Sequence, residues 1–363
     1  MSEDISCPSR SVVWIAIVYG LLHAGVDGAC AALLAYHKTQ GVLSGEQLWT
    51  LFLIYNGLAF ALQLPFGAMA DFRGHYRTAM LGGAGLVGLG VLPWTPSAHG
   101  AVALVGIGNA AFHIGAGAMV LRMSPERATA AGLFVAPGSL GLVAGAWCGC
   151  NLGWWSWLSV GLLVLVVIVV LAMQPIGERR VQYVSFQPRY GRSVVLGAVG
   201  LLFFSVIVRS TVGMTIGAVC EGQAAILLGL AWAGFFGKAL GGALADRFGW
   251  ILTSAAALTA SAPLLLVDSG AATIGGMFLF QMTMPVTLLA IYRAFPNEPG
   301  LSFGLPTLAL FVGSLPVYVL PIEWVSGVAV LSTLFVVSLV CLVVGLPLVL
   351  KGANGMEGEG LVE

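Results

Sequence analysis

The sequence predicts an all-α membrane protein with twelve transmembrane helices arranged as two six-helix bundles. Composition, a series of apolar runs and an internal repeat support this fold class. The chain has 363 residues, of which 59% are hydrophobic and 8% are charged, and its mean hydropathy is +0.98. Because soluble domains carry about 25% charged residues, lipid must solvate most of this chain. The formal net charge of zero argues against a nucleic-acid partner.

Twelve apolar runs are candidates for crossing a bilayer, which takes a helix of about 20 residues. They cover residues 12–36, 46–69, 77–94, 99–122, 127–150, 153–174, 193–216, 222–244, 250–267, 270–294, 299–320 and 324–350. The longest polar break lies at the midpoint of the chain. The predicted domains are therefore a bundle over 1–174, a cytoplasmic linker over 175–192, a bundle over 193–350 and a disordered cytoplasmic tail over 351–363.

The basic residues predict the orientation of the chain in the membrane. With the N-terminus inside, 12 of the 15 lysines and arginines fall on the cytoplasmic side and only Lys38 falls outside. Arg209 and Lys238 lie within spans. The positive-inside rule therefore predicts that both termini lie in the cytoplasm. We expect a multi-pass protein of the bacterial cytoplasmic (inner) membrane.

The two halves of the chain repeat one another in sequence. Three pairs of segments correspond, at offsets of 182, 175 and 171 residues: Arg10–Val13 with Arg192–Val195, Gly67–Asp71 with Gly242–Asp246, and Arg122–Glu126 with Arg293–Glu298. The small drift fits differences in loop length. A parallel repeat of six helices is a common architecture of secondary transporters.

A glycine- and aspartate-containing motif follows the second and eighth predicted spans. Its second copy reads GALADRFG, and Phe72 departs from the pattern in the first copy. The motif resembles the loop signature of the major facilitator superfamily. The resemblance implies a latch that stabilises one transport state, formed by Gly67, Asp71, Gly74, Arg77, Gly242, Asp246, Arg247 and Gly249. Each aspartate can cap the next helix or a neighbouring one, and an ordinary polar turn is the alternative.

Residues 106–141 include Phe112-His113, a Pro125-Glu-Arg127 turn, and Gly132-Leu-Phe134 followed by GSLG. Together with His23 and Asp27 in span 1, they are similar to the fosmidomycin-resistance branch of the superfamily. Ile114 and Pro137 depart from the branch pattern. The resemblance implies proton-driven efflux of a drug or metabolite by an antiporter, and with it antibiotic resistance.

Five ionisable residues lie within predicted spans: His23, Asp27, His113, Arg209 and Lys238. A charge at a helix centre costs about 2.5–3.5 kcal/mol on insertion scales, so these side chains should face the protein interior or one another. Counted from Ser11 and Ser193, Asp27 and Arg209 are both 16 residues along and should lie at equivalent depth. The resemblance implies that spans 1, 4, 7 and 10 line a central cavity, which would bring four of the five residues together.

We expect Asp27, His23 and His113 to carry a coupling proton, because a carboxylate beside histidine can exchange protons near neutral pH. Arg209 is expected to contact an anionic substrate, or to pair with Asp27 when the site is empty. A static structural pair is the alternative. Asn109, Gln281 and Lys238 are further candidate substrate contacts. Interhelical hydrogen bonding is the alternative for Asn109 and Gln281, and snorkelling is the alternative for Lys238.

The function predicted is proton-coupled export of a small anionic or amphiphilic compound by alternating access. Import of an organic anion is the alternative within the same fold, and a channel is disfavoured by the repeat. Membrane enzymes are disfavoured because the sequence shows no Gly-x-Ser-x-Gly paired with a suitable histidine, no HExxH motif and no intramembrane aspartate pair. We therefore predict no catalytic residue, no metal and no cofactor. The expected partners are a small-molecule substrate, protons and membrane lipid, and the chain is expected to be monomeric.

Overall fold

Helices dominate the part of the chain that the structure describes. The computed structural model describes residues 10–39, 43–92, 97–152 and 190–353. Within these ranges the α-helices are α1 Arg10–Thr39, α2 Gly45–Asn56, α3 Gln63–Arg73, α4 Tyr76–Gly90, α5 Ala98–Met123, α6 Ala128–Asn151, α7 Arg192–Val219, α8 Ala224–Phe248, α9 Trp250–Leu265, α10 Gly270–Gln281, α11 Met284–Ala294, α12 Pro299–Val319, α13 Ile322–Val325 and α14 Val328–Ala353.

Nine helical segments within the described ranges are long and apolar enough to cross a membrane. They match nine of the predicted spans. The predicted spans 77–94 and 250–267 correspond to α4 and α9, which are shorter, at 15 and 16 residues. The predicted span 153–174 lies outside the described residues, as do positions 175–189 of the predicted linker and 354–363 of the predicted tail.

Two of the membrane-crossing segments are interrupted near their middle. The second span consists of α2, a π-helical turn at Gly57–Ala61 and α3. The tenth span consists of α10 and α11, and Pro285 lies in the first turn of α11. Proline has no backbone N–H and is readily accommodated in the first turn of a helix, so its position is consistent with a new helix starting there. The interruption places Thr283 between the two helices.

Backbone contact between α1 and α6 fixes the relative depth of the first and fifth spans. A Cβ atom on Gly141 would overlap the backbone of Ala24, and a Cβ atom on Gly145 would overlap the backbone of Gly28. Small residues permit this close approach of membrane helices. As a result, the central part of α6 lies directly against the part of α1 that carries His23 and Asp27.

The two halves of the chain contact each other at both ends of the molecule. At the end where α3 and α8 finish, which we call the latch end, Gly67 lies against the backbone of Gly300 and Gly242 lies against that of Ala128. At the opposite end, the Lys38 ammonium lies 2.6 Å from a Glu221 carboxylate oxygen in an exposed ion pair. Buried backbone contacts therefore join the halves at the latch end. Toward the other end they are joined by this ion pair and by hydrogen bonds from Trp49 and Asn56 to Tyr318.

Candidate functional site

Asp27 is held between two histidines in the interior of the first half. Its Oδ2 atom lies 2.9 Å from His23 Nε2, and its Oδ1 atom lies 3.7 Å from His113 Nε2. The two imidazole rings meet edge to face with their centroids 4.5 Å apart. All three residues are buried, with 7–9% of their surface exposed. The structure thus brings the three predicted proton-coupling residues together in one group, the His–Asp–His cluster.

Both histidines of the cluster are oriented by backbone carbonyls. His23 Nδ1 lies 3.0 Å from the Phe134 carbonyl oxygen in α6, and His113 Nδ1 lies 2.9 Å from the Asn109 carbonyl oxygen in α5. A carbonyl oxygen can only accept, so each Nδ1 must carry the donated hydrogen. In a neutral histidine the Nε2 atom is then a bare acceptor. In the close His23–Asp27 contact, Nε2 and the carboxylate oxygen Oδ2 would then both be acceptors. A proton or another cation between these two atoms is needed to hold them together.

The side chain of Asn109 completes the surroundings of Asp27. Its Nδ2 atom donates to Asp27 Oδ1 at 2.9 Å, and Asn109 is 2% exposed. The sequence predicted Asn109 as a substrate contact, with an interhelical hydrogen bond as the alternative. In this structure its amide makes the interhelical bond, which fixes the carboxylate relative to α5.

Gly138 forms the wall of the cluster on the α6 side. A Cβ atom at this position would lie 2.5 Å from His23 Nε2 and 2.8 Å from Asp27 Oδ2. Such distances are shorter than van der Waals contact. A side chain at this position would therefore displace His23 and Asp27 from their present positions.

Arg209 belongs to a separate polar group in the second half. Its Nη1 atom donates to the Thr283 hydroxyl, and its Nη2 atom donates to the Thr287 hydroxyl at 3.0 Å. Each threonine hydroxyl donates onward to a backbone carbonyl: Thr283 to Phe280, and Thr287 to Thr283. The hydroxyl oxygens are therefore free to accept from the guanidinium. We call Arg209, Thr283 and Thr287 the arginine group.

No carboxylate among the described residues lies within ion-pair distance of Arg209. The Arg209 Nε atom also lacks a hydrogen-bond partner in that part of the chain, although the residue is only 8% exposed. The direct Asp27–Arg209 pair considered from the sequence is thus not formed in this structure. Instead, Asp27 contacts α5 and Arg209 contacts the interrupted tenth span, which are equivalent arrangements in the two halves.

Lys238 crosses from the second half to the first. Its Nζ atom donates to the Ser139 hydroxyl in α6 at 2.8 Å. Ser139 follows Gly138, so the lysine approaches the wall of the His–Asp–His cluster. Of the two alternatives for Lys238, snorkelling and an interior position, the structure has the interior one. Gln281 makes a different contact, because its Nε2 atom lies 3.6 Å from Met277 Sδ.

Phe303 of α12 covers the His–Asp–His cluster on the side nearer the latch end. Its ring centroid lies 6.5 Å from that of His113 and 6.0 Å from that of Phe134. Phe303 is 4% exposed. Because α12 belongs to the second half, this apolar cover must move if the halves separate at the latch end.

The first latch aspartate caps a helix of the opposite half. Asp71 Oδ1 accepts from the Gly300 backbone N–H, and its Oδ2 accepts from that of Leu301, both at 2.8 Å. These are first-turn N–H groups of α12, which have no partner within the helix. The Tyr76 hydroxyl also donates to Asp71 Oδ1 at 2.8 Å. A negative charge at a helix N-terminus is stabilising, so this bond joins the halves.

The second latch aspartate repeats this arrangement in the other direction. Asp246 accepts from the backbone N–H groups of Ala128 and Thr129 at the start of α6, both at 2.8 Å, and from the Thr129 hydroxyl at 2.5 Å. The Trp250 indole N–H donates to it at 3.1 Å. The sequence left open whether each aspartate caps the next helix or a neighbouring one. Both cap a neighbouring helix, and an aromatic donor from the next helix supports each.

The remaining latch residues shape the turns. Gly74 and Gly249 have φ of +70° and +96°, which a residue with a Cβ atom adopts only with strain. The Arg247 guanidinium lies over the Phe248 ring at 5.3 Å. Arg77 lies in the first turn of α4, directly after the first latch turn.

Comparison with known proteins relates the fold to solved structures. No protein-family model and no curated protein sequence matches the chain. The transporter FucP in its outward conformation is similar, with a TM-score of 0.66 at 14% identity over 97% of this chain and 99% of that chain. This chain has the major facilitator superfamily fold. The prediction of an all-α membrane protein of this architecture is confirmed.

Two further structures with this fold have stated functions. A variant of the E. coli fucose:proton symporter FucP has a TM-score of 0.66 at 15% identity, covering 97% of this chain and 100% of that chain. The human organic anion transporter MFSD10 (TETRAN) has a TM-score of 0.65 at 15% identity with the same coverage. At these identities the likeness establishes the fold, and the chain is a multi-pass membrane protein.

Sequence reasoning missed the partners of Arg209 and the aromatic donors of the latches. Thr283 and Thr287 are four residues apart and follow Gln281, which had been singled out, so their spacing was a usable signal. Tyr76 and Trp250 each begin the helix after a latch turn. Their roles depend on contacts that the chain order alone does not reveal.

Proposed function

We propose that this chain is a secondary active transporter that exports a small anionic or amphiphilic compound, a drug or metabolite, in exchange for protons. It works by alternating access and carries out no covalent chemistry on its substrate. We place it in the bacterial inner membrane as a monomer with both termini in the cytoplasm. The latch end then faces the cytoplasm, and the bundles are 1–174 and 193–350, with a linker between them.

One observation carries the proposal: opposite charges occupy equivalent positions in the two halves and are not paired with each other. Asp27 lies on the first helix of the first half, and Arg209 lies on the first helix of the second half. Each is bound to the fourth span of its own half. A buried charge without a counter-ion is costly, and the arginine group offers only neutral hydroxyls. A substrate anion would supply the missing charge.

The histidines support protons as the coupling ion. With both Nδ1 atoms donating to carbonyls, one proton between His23 Nε2 and Asp27 Oδ2 satisfies two acceptors that otherwise face each other. That proton leaves the pair formally neutral. Loading and release of the proton would therefore change the charge of the first half, while the substrate changes that of the second half.

Four contacts link these sites to the movement of the halves. Lys238 reaches Ser139 beside the cluster, Phe303 covers His113, and the two latch aspartates join opposite halves. We propose that Lys238 is a second cationic contact for the substrate, with Gln281 and Asn109 as neighbouring polar groups. An anion that draws Lys238 from Ser139 would loosen the contact between α6 and α8.

The proposal is tested by substrate flux in proteoliposomes. A metabolite and drug screen, with fosmidomycin included, compares a deletion strain with an overexpressing strain to find a substrate. The purified protein is then reconstituted, and flux of the labelled compound is followed under an imposed pH gradient. Flux that runs against the direction of proton movement supports the proposal, and a complete absence of pH-dependent flux would contradict it.

Import of an organic anion is the second candidate function. It is favoured by the likeness in fold to a fucose:proton symporter and to an organic anion transporter. The same assay separates the two functions, because a symporter moves the labelled compound in the same direction as the protons. Steady conductance without saturation would instead indicate a channel.

A further inference from the structure

We propose that the His–Asp–His cluster is a binding site for a divalent transition-metal ion such as Zn²⁺ or Co²⁺. His23, Asp27 and His113 each offer one ligand atom, and these atoms all lie within 4.8 Å of one another. The residues come from α1 and α5, so the chain must fold to assemble them. From the sequence we predicted no metal.

The hydrogen bonds behind the ligand atoms are those that a metal site requires. A metal-bound histidine coordinates through one ring nitrogen and usually donates its other N–H to a carbonyl or carboxylate. His23 does this to Phe134, and His113 does it to Asn109. Both Nε2 lone pairs are thereby directed at the Asp27 carboxylate. Asn109 additionally holds one carboxylate oxygen in place.

The distances are close to those of a tetrahedral site. Metal–ligand bonds of about 2.0–2.1 Å place neighbouring ligand atoms roughly 3.3 Å apart in a tetrahedron. His23 Nε2 lies 2.9 Å from Asp27 Oδ2, and His113 Nε2 lies 3.7 Å from Asp27 Oδ1. Both distances are near this separation, and rotation of the Asp27 carboxylate would bring a single oxygen toward both nitrogens. Three protein ligands leave the fourth position for water or an anionic group of a bound compound.

The donor set identifies the class of ion. Imidazole nitrogens favour late first-row ions such as Zn²⁺ and Co²⁺, whereas Mg²⁺ and Ca²⁺ prefer sites made of oxygen ligands. One carboxylate and two neutral imidazoles leave a divalent ion with a single net positive charge. Gly138 and Phe303 keep the surroundings compact and partly apolar.

The metal site goes beyond the proposed transport function and does not depend on it. A bound ion would coordinate the histidine Nε2 atoms and the Asp27 carboxylate, which face one another in the cluster. It would thereby link α1 to α5. We therefore expect Zn²⁺ to inhibit substrate flux. Metal binding itself is measured on the purified protein without any substrate, so failure of either proposal leaves the other standing.

The test is a Co²⁺ titration of the full chain in detergent, after removal of any affinity tag, followed by visible absorption. We expect the intense bands of tetrahedral Co²⁺, their loss on addition of Zn²⁺, and no effect of Mg²⁺. His113→Gln should weaken Co²⁺ binding more than about tenfold. The matched control His75→Gln removes an exposed histidine and should leave binding unchanged.

A second measurement needs no variant, in case His113→Gln does not fold. X-ray absorption of the Zn²⁺-bound wild-type protein should give two imidazole nitrogens and at least one oxygen around the metal. Absence of the Co²⁺ bands in the wild-type protein would overturn the proposal. Equal Co²⁺ binding by the wild type and the folded His113→Gln variant, or a Zn²⁺ environment without two imidazoles, would also overturn it.

Discussion

The Asp71 carboxylate of α3 accepts the backbone N–H of Gly300 at 2.8 Å, although the two residues are 229 positions apart. Its counterpart, Asp246, accepts the backbone N–H of Ala128 at the same distance. The two bonds run in opposite directions between the halves. They make the latch end of the molecule a symmetric closure, held by partly buried helix caps.

Loss of either latch cap should favour separation of the halves at the latch end. Removal of a side-chain cap costs about 0.5–2 kcal/mol, and every 1.4 kcal/mol is a tenfold change in an equilibrium. Asp71→Ala and Asp246→Ala should each raise the accessibility of a cysteine placed at Phe303 severalfold toward a water-soluble maleimide. Asp268→Ala, which changes an exposed aspartate, is the control. Unchanged labelling in both variants would show that the caps do not hold the closure.

The arginine group should bind the anionic part of the substrate through the fork of its guanidinium. Arg209→Lys keeps the charge but loses the planar set of donors, so the KM of transport should rise by about tenfold or more. Thr287→Val removes one acceptor and should have a smaller effect of the same kind. Both are measured as initial rates in proteoliposomes. A normal KM for Arg209→Lys would assign the arginine a structural role only.

Gly138 should tolerate no side chain. Gly138→Ala places a Cβ atom against His23 Nε2 and Asp27 Oδ2, so coupled flux should fall by at least tenfold, about 1.4 kcal/mol, while the protein still elutes as a monomer. Gly85→Ala is the matched control, because a Cβ atom there meets no atom within 4 Å. Equal flux from the two variants would mean that the cluster does not need its present geometry.

Lys238 should matter as a cationic contact for the substrate and not through its bond to Ser139. Lys238→Met keeps most of the apolar stem and removes the donor, and we expect a lower affinity for substrate, measured as a KM increase of about tenfold. Ser139→Ala removes only the hydroxyl and should leave KM nearly unchanged, because the ammonium remains. If the two variants behave identically, the bond itself is the important feature and Lys238 is not a substrate contact.

The fold class could be predicted from the sequence because lipid imposes a simple rule. Long apolar runs must form helices that satisfy their own backbone groups, so nine predicted spans match long helices of the structure. The helices α4 and α9 are shorter than the predicted spans, because hydropathy does not determine where a helix ends. Pro285 was the sequence signal for the break in the tenth span, but a proline can also bend a helix that remains continuous.

The site could be predicted in part. His23 and Asp27 share a helix face at a spacing of four, so their contact followed from helix geometry, and resemblance added His113. The carbonyls of Phe134 and Asn109 that orient the rings could not be found in this way, because every residue carries a carbonyl. The separation of Arg209 from Asp27 could not be predicted either. Equivalent depth in the two halves does not determine whether the two side chains come into contact.

The central claim is that Asp27 couples protons to substrate movement, and paired flux measurements on Asp27→Asn test it most directly. Proteoliposomes of the wild type and of this variant are compared in flux driven by a pH gradient and in substrate exchange without a gradient. We predict that Asp27→Asn loses the driven flux and keeps the exchange, while Asp268→Asn keeps both. Normal driven flux by Asp27→Asn would contradict the account.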